Sequence, residues 1–354
     1  MTSRIPGGTS VIIPVYNAAH YVAEAIESAL HQTQRPLEVI VIDDGSTDET
    51  PHVLARYAGR IVAVRQTNAG LAAARNRGLA VARGEFVAFL DADDAWYPNA
   101  LAVMTEVLQT RTGADLVLGA WDSTDSAGRV LQRQAVPPEV QRHLHTDFRR
   151  TLALGNRFPV GVLLIRRRCF ECCGLFDPRL QALEDWDLWL RFAAHQHGPT
   201  FVPEVLLRYR RHAGSMSFDL QRMRTNANRV AEKLFADPHL ADLRAHVVLG
   251  ILALLVYLAE QAQDLPAMLS LATEADRLAR EAPRHPFAEA VALMDAERIT
   301  AYRWLAAREL LRRGHLREGL AGLLELARSR PSWCLGKVAR ACAGRAGLHR
   351  IRGE

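Results

Sequence analysis

The chain has few of the features that mark secreted or membrane-spanning proteins. Its 354 residues include five cysteines, and this odd number argues against a disulfide framework. Cys169, Cys172 and Cys173 stand together in a predicted helix, but a fourth ligand in pattern is missing, so we expect no metal there. The longest apolar run, residues 249–259, has about half of the roughly 20 residues that a membrane span needs. No amino-terminal signal peptide is apparent, and we expect a cytoplasmic protein.

The chain also lacks the glycine motif of the dinucleotide-binding dehydrogenases. In those enzymes GxGxxG follows the first strand, whereas the turn here contains Pro14 and Tyr16 and no glycine. The helix that follows has an apolar face formed by Val22, Ile26, Ala29 and Leu30. A second apolar strand at residues 37–43 leads into a further helix. This alternation predicts an α/β fold with a doubly wound, mostly parallel sheet.

Length and periodicity predict two domains. With 49% hydrophobic residues the chain can bury a large core, and we place an α/β domain at residues 1–218. Residues 219–354 show apolar positions at three- and four-residue spacing, which predicts an all-α region. Within it, residues 307–331 resemble one tetratricopeptide-type helical hairpin, although the period is not sustained.

The carboxyl-terminal tail holds most of the excess positive charge. Residues 337–354 carry a net +4 of the chain's formal +5. Such a tail can contact anionic lipid at the inner face of a membrane, and a solvated positive end is the competing interpretation. Aromatic residues do not interleave with this charge, so we expect no nucleic-acid partner.

Residues 85–96, EFVAFLDADDAW, are an apolar run that ends in three carboxylates. The lack of polar alternation favours a strand buried on both faces of a parallel sheet. If the backbone stays extended, Asp91 and Asp93 point to the same side and can hold a divalent cation, whose shell substrate phosphates complete. Asp94 points away and is expected to be structural. The alternative is a polar strand end with an aspartate that caps the next helix.

A second acidic pair, Asp43 and Asp44, ends the strand at residues 37–43. In a parallel sheet these residues and the turn at Pro14 to Asn17 lie at neighbouring carboxyl ends, where a crevice forms. A carboxylate there can accept from the imide N–H of uracil or thymine, and Tyr16 can cover the face of the base. The competing interpretation makes Asp43 and Asp44 turn and capping residues.

Five motifs together resemble one known family. They are IIPVYN at residues 12–17, VIDDGSTD at 41–48, NAGLAAARNRGL at 68–79, FLDADD at 89–94 and ALEDWDLWLR at 182–191. Their order and approximate spacing resemble those of family 2 glycosyltransferases, a large inverting group with the GT-A fold, over roughly residues 8–215. The resemblance implies transfer of a sugar from a nucleotide diphosphate donor to an acceptor hydroxyl, with Mg²⁺ or Mn²⁺ as cofactor.

The resemblance also assigns roles to individual residues. Asp93 becomes the principal metal ligand, with Asp91 as its helper and His212 near the metal or the diphosphate; a simply exposed His212 is the alternative. Asp185 becomes the base that takes the proton of the acceptor hydroxyl. The residues expected to bind the nucleotide sugar are Pro14, Tyr16, Asn17, Asp43, Asp44, Asn68, Gly70, Arg75, Asp91 and Ala92.

Three assignments leave alternatives open. Arg75 could donate to the phosphates or be a solvated arginine. Trp186 and Trp189, with Glu184, could line the acceptor or sugar pocket, or the two tryptophans could be buried in the core. Residues 121–150 carry turn formers and mixed charge, and we expect them to be loops beside a glycan or lipid-linked acceptor.

Two other functions compete with the transferase. One is a GT-A scaffold without turnover, whose helical region recruits partners. The intact set of Asp44, Asp91, Asp93 and Asp185 argues against it. The other is a nucleotidyltransferase, which would use a similar crevice but leave the ALEDWD motif without a role. The sequence therefore favours a metal-dependent inverting glycosyltransferase of surface polysaccharide or glycoconjugate synthesis, with a UDP-sugar as donor.

Overall fold

The computed structural model describes most of the first 243 residues, in the ranges 4–111, 113–134, 148–153, 155–156, 158–212 and 219–243. The chain divides into two compact units, Met1–Arg244 and Ala245–Glu354. Of the predicted all-α region, residues 219–243 are described and form a helix followed by a turn of 3₁₀ helix. The hairpin at 307–331 and the basic tail lie almost wholly outside the described residues and stay predictions. Among the described helices, none combines the length and the hydropathy that a bilayer crossing requires.

The described part of the first unit is a nine-stranded sheet with helices packed against it. The strands are β1 Ile5–Val15, β2 Glu38–Asp43, β3 Val62–Arg65, β4 Gly84–Phe89, β5 Ala95–Trp96, β6 Leu116–Thr124, β7 Val130–Gln134, β8 Leu163–Arg166 and β9 Pro199–Arg210. The helices are α1 Val22–Leu30, α2 Thr50–Ala55, α3 Leu71–Val81, α4 Ala100–Thr110, α5 Phe148–Ala153, α6 Arg168–Cys173, α7 Glu184–Ala194 and α8 Leu220–Ala236. Two turns of 3₁₀ helix, Val160–Val162 and Pro238–Leu243, complete the described elements.

The sheet has a parallel half and a mixed half. Its order is β3-β2-β1-β4-β8-β6-β9-β5, and β7 pairs with β6. Strands β1 to β4 are parallel, β8 is antiparallel to both β4 and β6, and β9 is parallel to β6. Six of the nine strands therefore run in one direction, which confirms the mostly parallel sheet. The carboxyl ends of β1, β2 and β4 meet at one edge of it.

The predicted strands and the first helix are confirmed. The runs expected at 37–43 and 85–90 form β2 and β4, and their residues are almost fully buried because helices cover both faces of the parallel half. Helix α1 buries Val22, Ala25, Ile26 and Ala29. Helix α3 lies close to β1, since a Cβ on Gly78 would stand 2.3 Å from Ile12 Cγ2. Only glycine permits this approach.

The prediction of loops at residues 121–150 is wrong in part. Residues 121–124 extend β6, and Val130–Gln134 form β7, which pairs antiparallel with β6 from Trp121 to Thr124. The turn formers Ser126 to Gly128 mark the tip of this hairpin, not a long loop. Residues 135–147 lie outside the described residues.

The boundary between the two units also differs from the sequence estimate at 218/219. Helix α8 belongs to the first unit, because its Lys233 Nζ lies 2.9 Å from Asp177 Oδ2 and 2.7 Å from Asp187 Oδ1. Asn226 Oδ1 accepts a hydrogen bond of 2.9 Å from the Gln181 amide. A helical period cannot reveal such contacts, so the sequence places the boundary before this helix and the structure divides the chain after Arg244.

Candidate active site

The loop after β1 is held against the loop after β2. Asn17 has a left-handed backbone with φ of 49°, and its Oδ1 accepts hydrogen bonds from the amides of Thr47 at 2.8 Å and Asp48 at 3.3 Å. Its own amide donates to Ser46 Oγ at 3.0 Å. Tyr16, one residue earlier, is 51% exposed at the same edge. Pro14 is the penultimate residue of strand β1 and pairs with Ile42 of β2.

The carboxylates of Asp43 and Asp44, at the end of β2, accept hydrogen bonds from backbone amides and so hold the nearby turns in place. Asp43 Oδ1 accepts from the Ser46 amide at 2.8 Å, which is the turn role that the sequence left open. Asp44 Oδ1 accepts from the Ala69 amide at 2.9 Å, and Oδ2 accepts from the Gly70 amide at 2.8 Å. Asp44 thereby fixes the turn that leads into α3 and contains the exposed Asn68. A base contact from Asp44 stays a prediction.

Gly45 lets these two turns touch. Its φ is +79°, and a Cβ there would stand 2.8 Å from the amide nitrogen of Asn68. An L side chain would therefore meet both backbone strain and a clash with main chain that Asp44 holds in place.

Arg75 joins the acidic end of β4 to the start of α7. Its side chain is 2% exposed, and Nη2 lies 2.8 Å from Asp91 Oδ1 while Nη1 lies 2.5 Å from Glu184 Oε1. Burial lowers the pKa of Arg75, but the charges of Asp91 and Glu184 outweigh it and raise the pKa above its usual value. The guanidinium also lies over the ring of Phe176, 5.4 Å from the centroid. Arg75 is thus not a solvated arginine, and that alternative is wrong; a contact of Arg75 with the phosphates stays a prediction.

The first turn of α7 carries Glu184 and Asp185, as predicted. Burial raises the pKa of Glu184 to about 7, against the opposing charge of Arg75. Glu184 is 4% exposed, so it supports Arg75 and does not line an acceptor pocket. The helix begins after Leu183, whose backbone is left-handed with φ of 61° although its side chain is buried. Asp185, in the first turn after Leu183, is partly exposed, whereas Glu184 is buried.

Asp185 is the more accessible of the two carboxylates. Its Oδ2 accepts a hydrogen bond of 2.7 Å from Asn156 Nδ2, and Oδ1 accepts one of 2.7 Å from the Trp186 amide. Burial raises its pKa, while Arg75 and the Asn156 hydrogen bond oppose the rise. Asp91 adds negative charge nearby, so the ends of β4 and α7 share one electrostatic site.

The two tryptophans of α7 lie in the core. Trp186 is 1% exposed and its Nε1 donates to Leu152 O at 2.7 Å. Trp189 is also 1% exposed and packs edge-on against Phe176, with ring centroids 6.3 Å apart. Both face away from solvent because α7 is buried on most sides, with eight of its 11 residues buried. The sugar-stacking interpretation is therefore wrong.

Asp93 and His212 meet at the exposed edge of the site. His212 Nε2 lies 2.9 Å from Asp93 Oδ2, because β5, just after Asp93, pairs antiparallel with β9, just before His212. Burial and the charge of Asp91 raise the pKa of Asp93. Ala92, between the two aspartates, is buried.

The donor set suits a hard divalent cation. Asp94 Oδ1 accepts from the Arg210 amide at 2.8 Å, but its buried Oδ2 has no hydrogen-bond partner among the described residues. Burial and its acidic neighbours raise the pKa of Asp94 well above its usual value. Asp91, Asp93 and His212 do not form a group with all ligand atoms within 4.8 Å in the described chain, because Asp91 turns to Arg75. The surplus of carboxylates and the imidazole fit Mg²⁺ or Mn²⁺ chemically.

Sequence reasoning missed four residues that hold this edge together. Tyr21 stacks on His212 with ring centroids 5.2 Å apart, and the guanidinium of Arg210 lies 5.2 Å from the centroid of the same ring. Arg210 also donates to Asp93 O at 2.7 Å and pairs with Glu24 Oε2 at 2.5 Å. Asn156 is the fourth residue, and it donates a hydrogen bond to Asp185. Tyr21 precedes α1 directly and Glu24 lies in its first turn, a spacing that gives only a weak signal in the sequence.

Comparisons with known proteins find glycosyltransferases. The family model for glycosyl transferase family 2 matches residues 10–174. An uncharacterized glycosyltransferase of Rickettsia typhi is 33% identical over 226 residues, which cover 63% of this chain and 68% of the relative. The putative glycosyltransferase EpsH of Bacillus subtilis is 38% identical over 215 residues, or 58% of this chain and 62% of EpsH. The chain spans 64% of the length of a Rickettsia prowazekii relative at 34% identity.

The fold has counterparts among solved structures. The crystal structure of S. aureus TarS 1–349 in complex with UDP-GlcNAc aligns with a TM-score of 0.55 at 21% identity, over 87% of this chain and 92% of that one. At this identity the likeness shows the fold alone, which is the GT-A fold expected from the sequence. The chain belongs to glycosyltransferase family 2.

Replacing Arg75 tests the buried bridge. Arg75→Met leaves the buried Glu184 carboxylate without its cation, so we expect a loss of about 3–5 kcal/mol in the free energy of unfolding at mildly alkaline pH. Adding Glu184→Gln should recover a large part of that loss. Arg129→Met, which removes an exposed pair with Asp125, should leave the free energy of unfolding nearly unchanged. Urea unfolding of the parent chain and the three variants measures these differences. A double variant no more stable than Arg75→Met would contradict the bridge.

Two glycines with the same backbone angle separate strain from clash. Gly45 and Gly59 have φ of +79° and +80°, but a Cβ on Gly59 meets nothing within 4 Å. Alanine at either position should cost about 1–2 kcal/mol of left-handed strain, and Gly45→Ala should lose about 1–3 kcal/mol more through overpacking. Equal unfolding free energies for the two variants would show that the contact with Asn68 is not tight.

Proposed function

We propose that this chain is a metal-dependent inverting glycosyltransferase that moves a sugar from a nucleotide diphosphate donor, a UDP-sugar, to an acceptor hydroxyl. The observation that carries the proposal is the Arg75 bridge. It brings Asp91, at the end of the parallel half of the sheet, and Glu184-Asp185, at the start of α7, into one site. A carboxylate cluster on one side and an accessible carboxylate on the other is the arrangement that a single displacement needs.

The donor side uses the parallel half. The exposed Tyr16 and the turns held by Asn17, Asp43 and Asp44 form an edge at which a nucleotide base can stack and hydrogen-bond. TarS, which shares the fold, has been crystallised with UDP and with UDP-GlcNAc. This supports a uridine nucleotide as the first donor to test, with Asn68, Gly70 and Ala92 beside it.

Proton transfer falls to Asp185. It accepts the proton of the acceptor hydroxyl, whose oxygen forms the new bond to the anomeric carbon while the bond to the diphosphate oxygen breaks. Asn156 and the Trp186 amide hold the carboxylate in one orientation. Because Asp185 acts only when ionised, the reaction should slow as the pH falls through its pKa.

Asp93 and His212 would hold the cation, with Asp91 beside them. A divalent ion bound there supplies positive charge that stabilises the departing nucleotide diphosphate. Tyr21 and Arg210 position the two ligands: Tyr21 stacks on the His212 ring, and Arg210 binds the Asp93 carbonyl.

The acceptor side and the cellular setting belong to the same proposal. The acceptor is a glycan or a lipid-linked glycan at the cytoplasmic face of a membrane, and the product enters a surface polysaccharide or glycoconjugate. The net +4 of residues 337–354 supports contact with anionic lipid. The names of EpsH and the Rickettsia proteins specify glycosyltransferases but no acceptor. Mass analysis of the transfer product would identify the acceptor of this chain.

The variant Asp185→Asn tests whether Asp185 is the base that accepts the proton of the acceptor hydroxyl. It should lower transfer by about 10²- to 10⁴-fold and leave donor affinity within about twofold, because only proton transfer is removed. Hydrolysis of the donor by water provides a readout that needs no acceptor. Asn156→Ala keeps the carboxylate but loses a hydrogen bond that lowers its pKa, so its acid limb should move to higher pH. Parent-rate turnover by Asp185→Asn would refute this role.

Calorimetry with a panel of nucleotide sugars tests donor and metal together. UDP-sugars should bind in the presence of Mn²⁺ and at least about tenfold more weakly after chelation, because the ion links the diphosphate to the protein. Asp93→Asn should abolish the Mn²⁺ effect, and Glu106→Gln, an exposed carboxylate on α4, should keep it. The proposal would be overturned if no nucleotide sugar bound, or if the affinity for the donor were the same with and without Mn²⁺.

A further inference from the structure

A second group of metal-binding side chains lies away from the candidate active site. Cys172, Cys173 and His197 bring their ligand atoms within 4.8 Å of one another, and so do Asp115, Cys169 and His197. His197 follows the carboxyl end of α7, whereas Asp185 is in its first turn. An 11-residue helix is about 15 Å long, so the two places are well separated.

The sequence argued against a metal here because a further ligand was missing from the local pattern. The fold supplies it. His197 stands far from the cysteines in sequence, but α6 and α7 pack together and place its imidazole beside the end of α6. In the same way Asp115, just before β6, reaches the ring from a third element.

Asp115 and His197 form the pair that usually supports a metal-bound histidine. His197 Nδ1 lies 2.6 Å from Asp115 Oδ2. A carboxylate on one ring nitrogen fixes the tautomer and orientation of the imidazole and leaves the other nitrogen to bind an ion. Asp115 Oδ1 is engaged by Arg168 Nε at 2.6 Å, so this carboxylate is committed to orienting and not to ligation.

We propose that Cys172, Cys173 and His197 bind a Zn²⁺ ion, with Asp115 as the orienting partner of His197. Two thiolates and an imidazole are the ligands that zinc prefers, in contrast to the carboxylates that suit Mg²⁺ or Mn²⁺ at Asp93. Binding converts the two thiols to thiolates and releases two protons. The exposed Cys172 provides the route of entry, and a water molecule completes four-coordination.

The role that follows is structural. The ion joins the end of α6, the segment after α7 and the residue before β6, three elements that are far apart in sequence. Helix α7 carries Asp185, so zinc at its far end would hold that helix against the sheet. The ion is too far from Asp185 to take part in transfer.

Metal content tests this without any assay of transfer. The full chain, purified under a thiol reductant and stripped by chelation, should take up one Zn²⁺ per chain. Co²⁺ alone should give the thiolate-to-cobalt charge-transfer absorption of a cysteine-ligated site. Zn²⁺ should raise the thermal unfolding midpoint, because it binds the folded chain preferentially.

Cys172→Ser is the decisive variant, since the exposed side chain can be changed without disturbing the core. It should lose the cobalt absorption, at least about tenfold in zinc affinity, and the zinc-dependent rise in the midpoint. Cys172→His, which offers a ligand nitrogen, should recover part of the affinity. His52→Ala is the control, with a histidine side chain that is 83% exposed. No uptake by the parent chain, or uptake unchanged in Cys172→Ser, would overturn the site. Either result leaves the proposed transferase untouched.

Discussion

The buried guanidinium of Arg75 is the contact on which the site depends. It pairs with Asp91 and with Glu184, residues that stand 16 and 109 positions away in the sequence. One arginine on α3 therefore fixes the distance between the acidic end of β4 and the first turn of α7. The cost of burying the Arg75 guanidinium and the Glu184 carboxylate is offset only because the pairing is close and aromatic rings cover the guanidinium. Removing any partner leaves a charge that the core cannot solvate.

The sheet divides the work of the site between its two halves. The parallel half, β1 to β4, ends in loops whose backbone is held by Asn17, Asp43 and Asp44, and these loops face the proposed donor. The mixed half contributes α7 with Asp185, the β6–β7 hairpin and His212 beyond β9. The two halves join where β4 pairs with β8, and β5 pairs with β9 at the far edge of the mixed half, which brings His212 to Asp93. The proposed metal ligands thus come from both halves, and the proposed base from one.

Much of this arrangement could be predicted from the sequence, and the remainder depends on contacts that a sequence does not display. Apolar runs with carboxylates at their ends locate β2, β4 and the crevice, since strand direction alone brings those ends together. The direction in which a helical side chain points decides the rest. Arg75 and Trp189 sit on inner stripes of α3 and α7, which a local reading cannot distinguish from faces that line a pocket. The ring stack of Tyr21 on His212 and the pairing of β7 with β6 are likewise long-range contacts.

Leu183, the residue before α7, restricts which amino acids the chain can carry at the start of this helix. Its left-handed backbone would suit glycine, yet its side chain is buried, so glycine would relieve strain and lose apolar packing at the same time. Such strain persists only where the surrounding structure holds it. A search for heat-resistant variants would meet opposed demands at this residue, one from the backbone and one from the core. Helix α7, whose first turn carries Asp185, therefore begins at a residue where the backbone and the core favour different side chains.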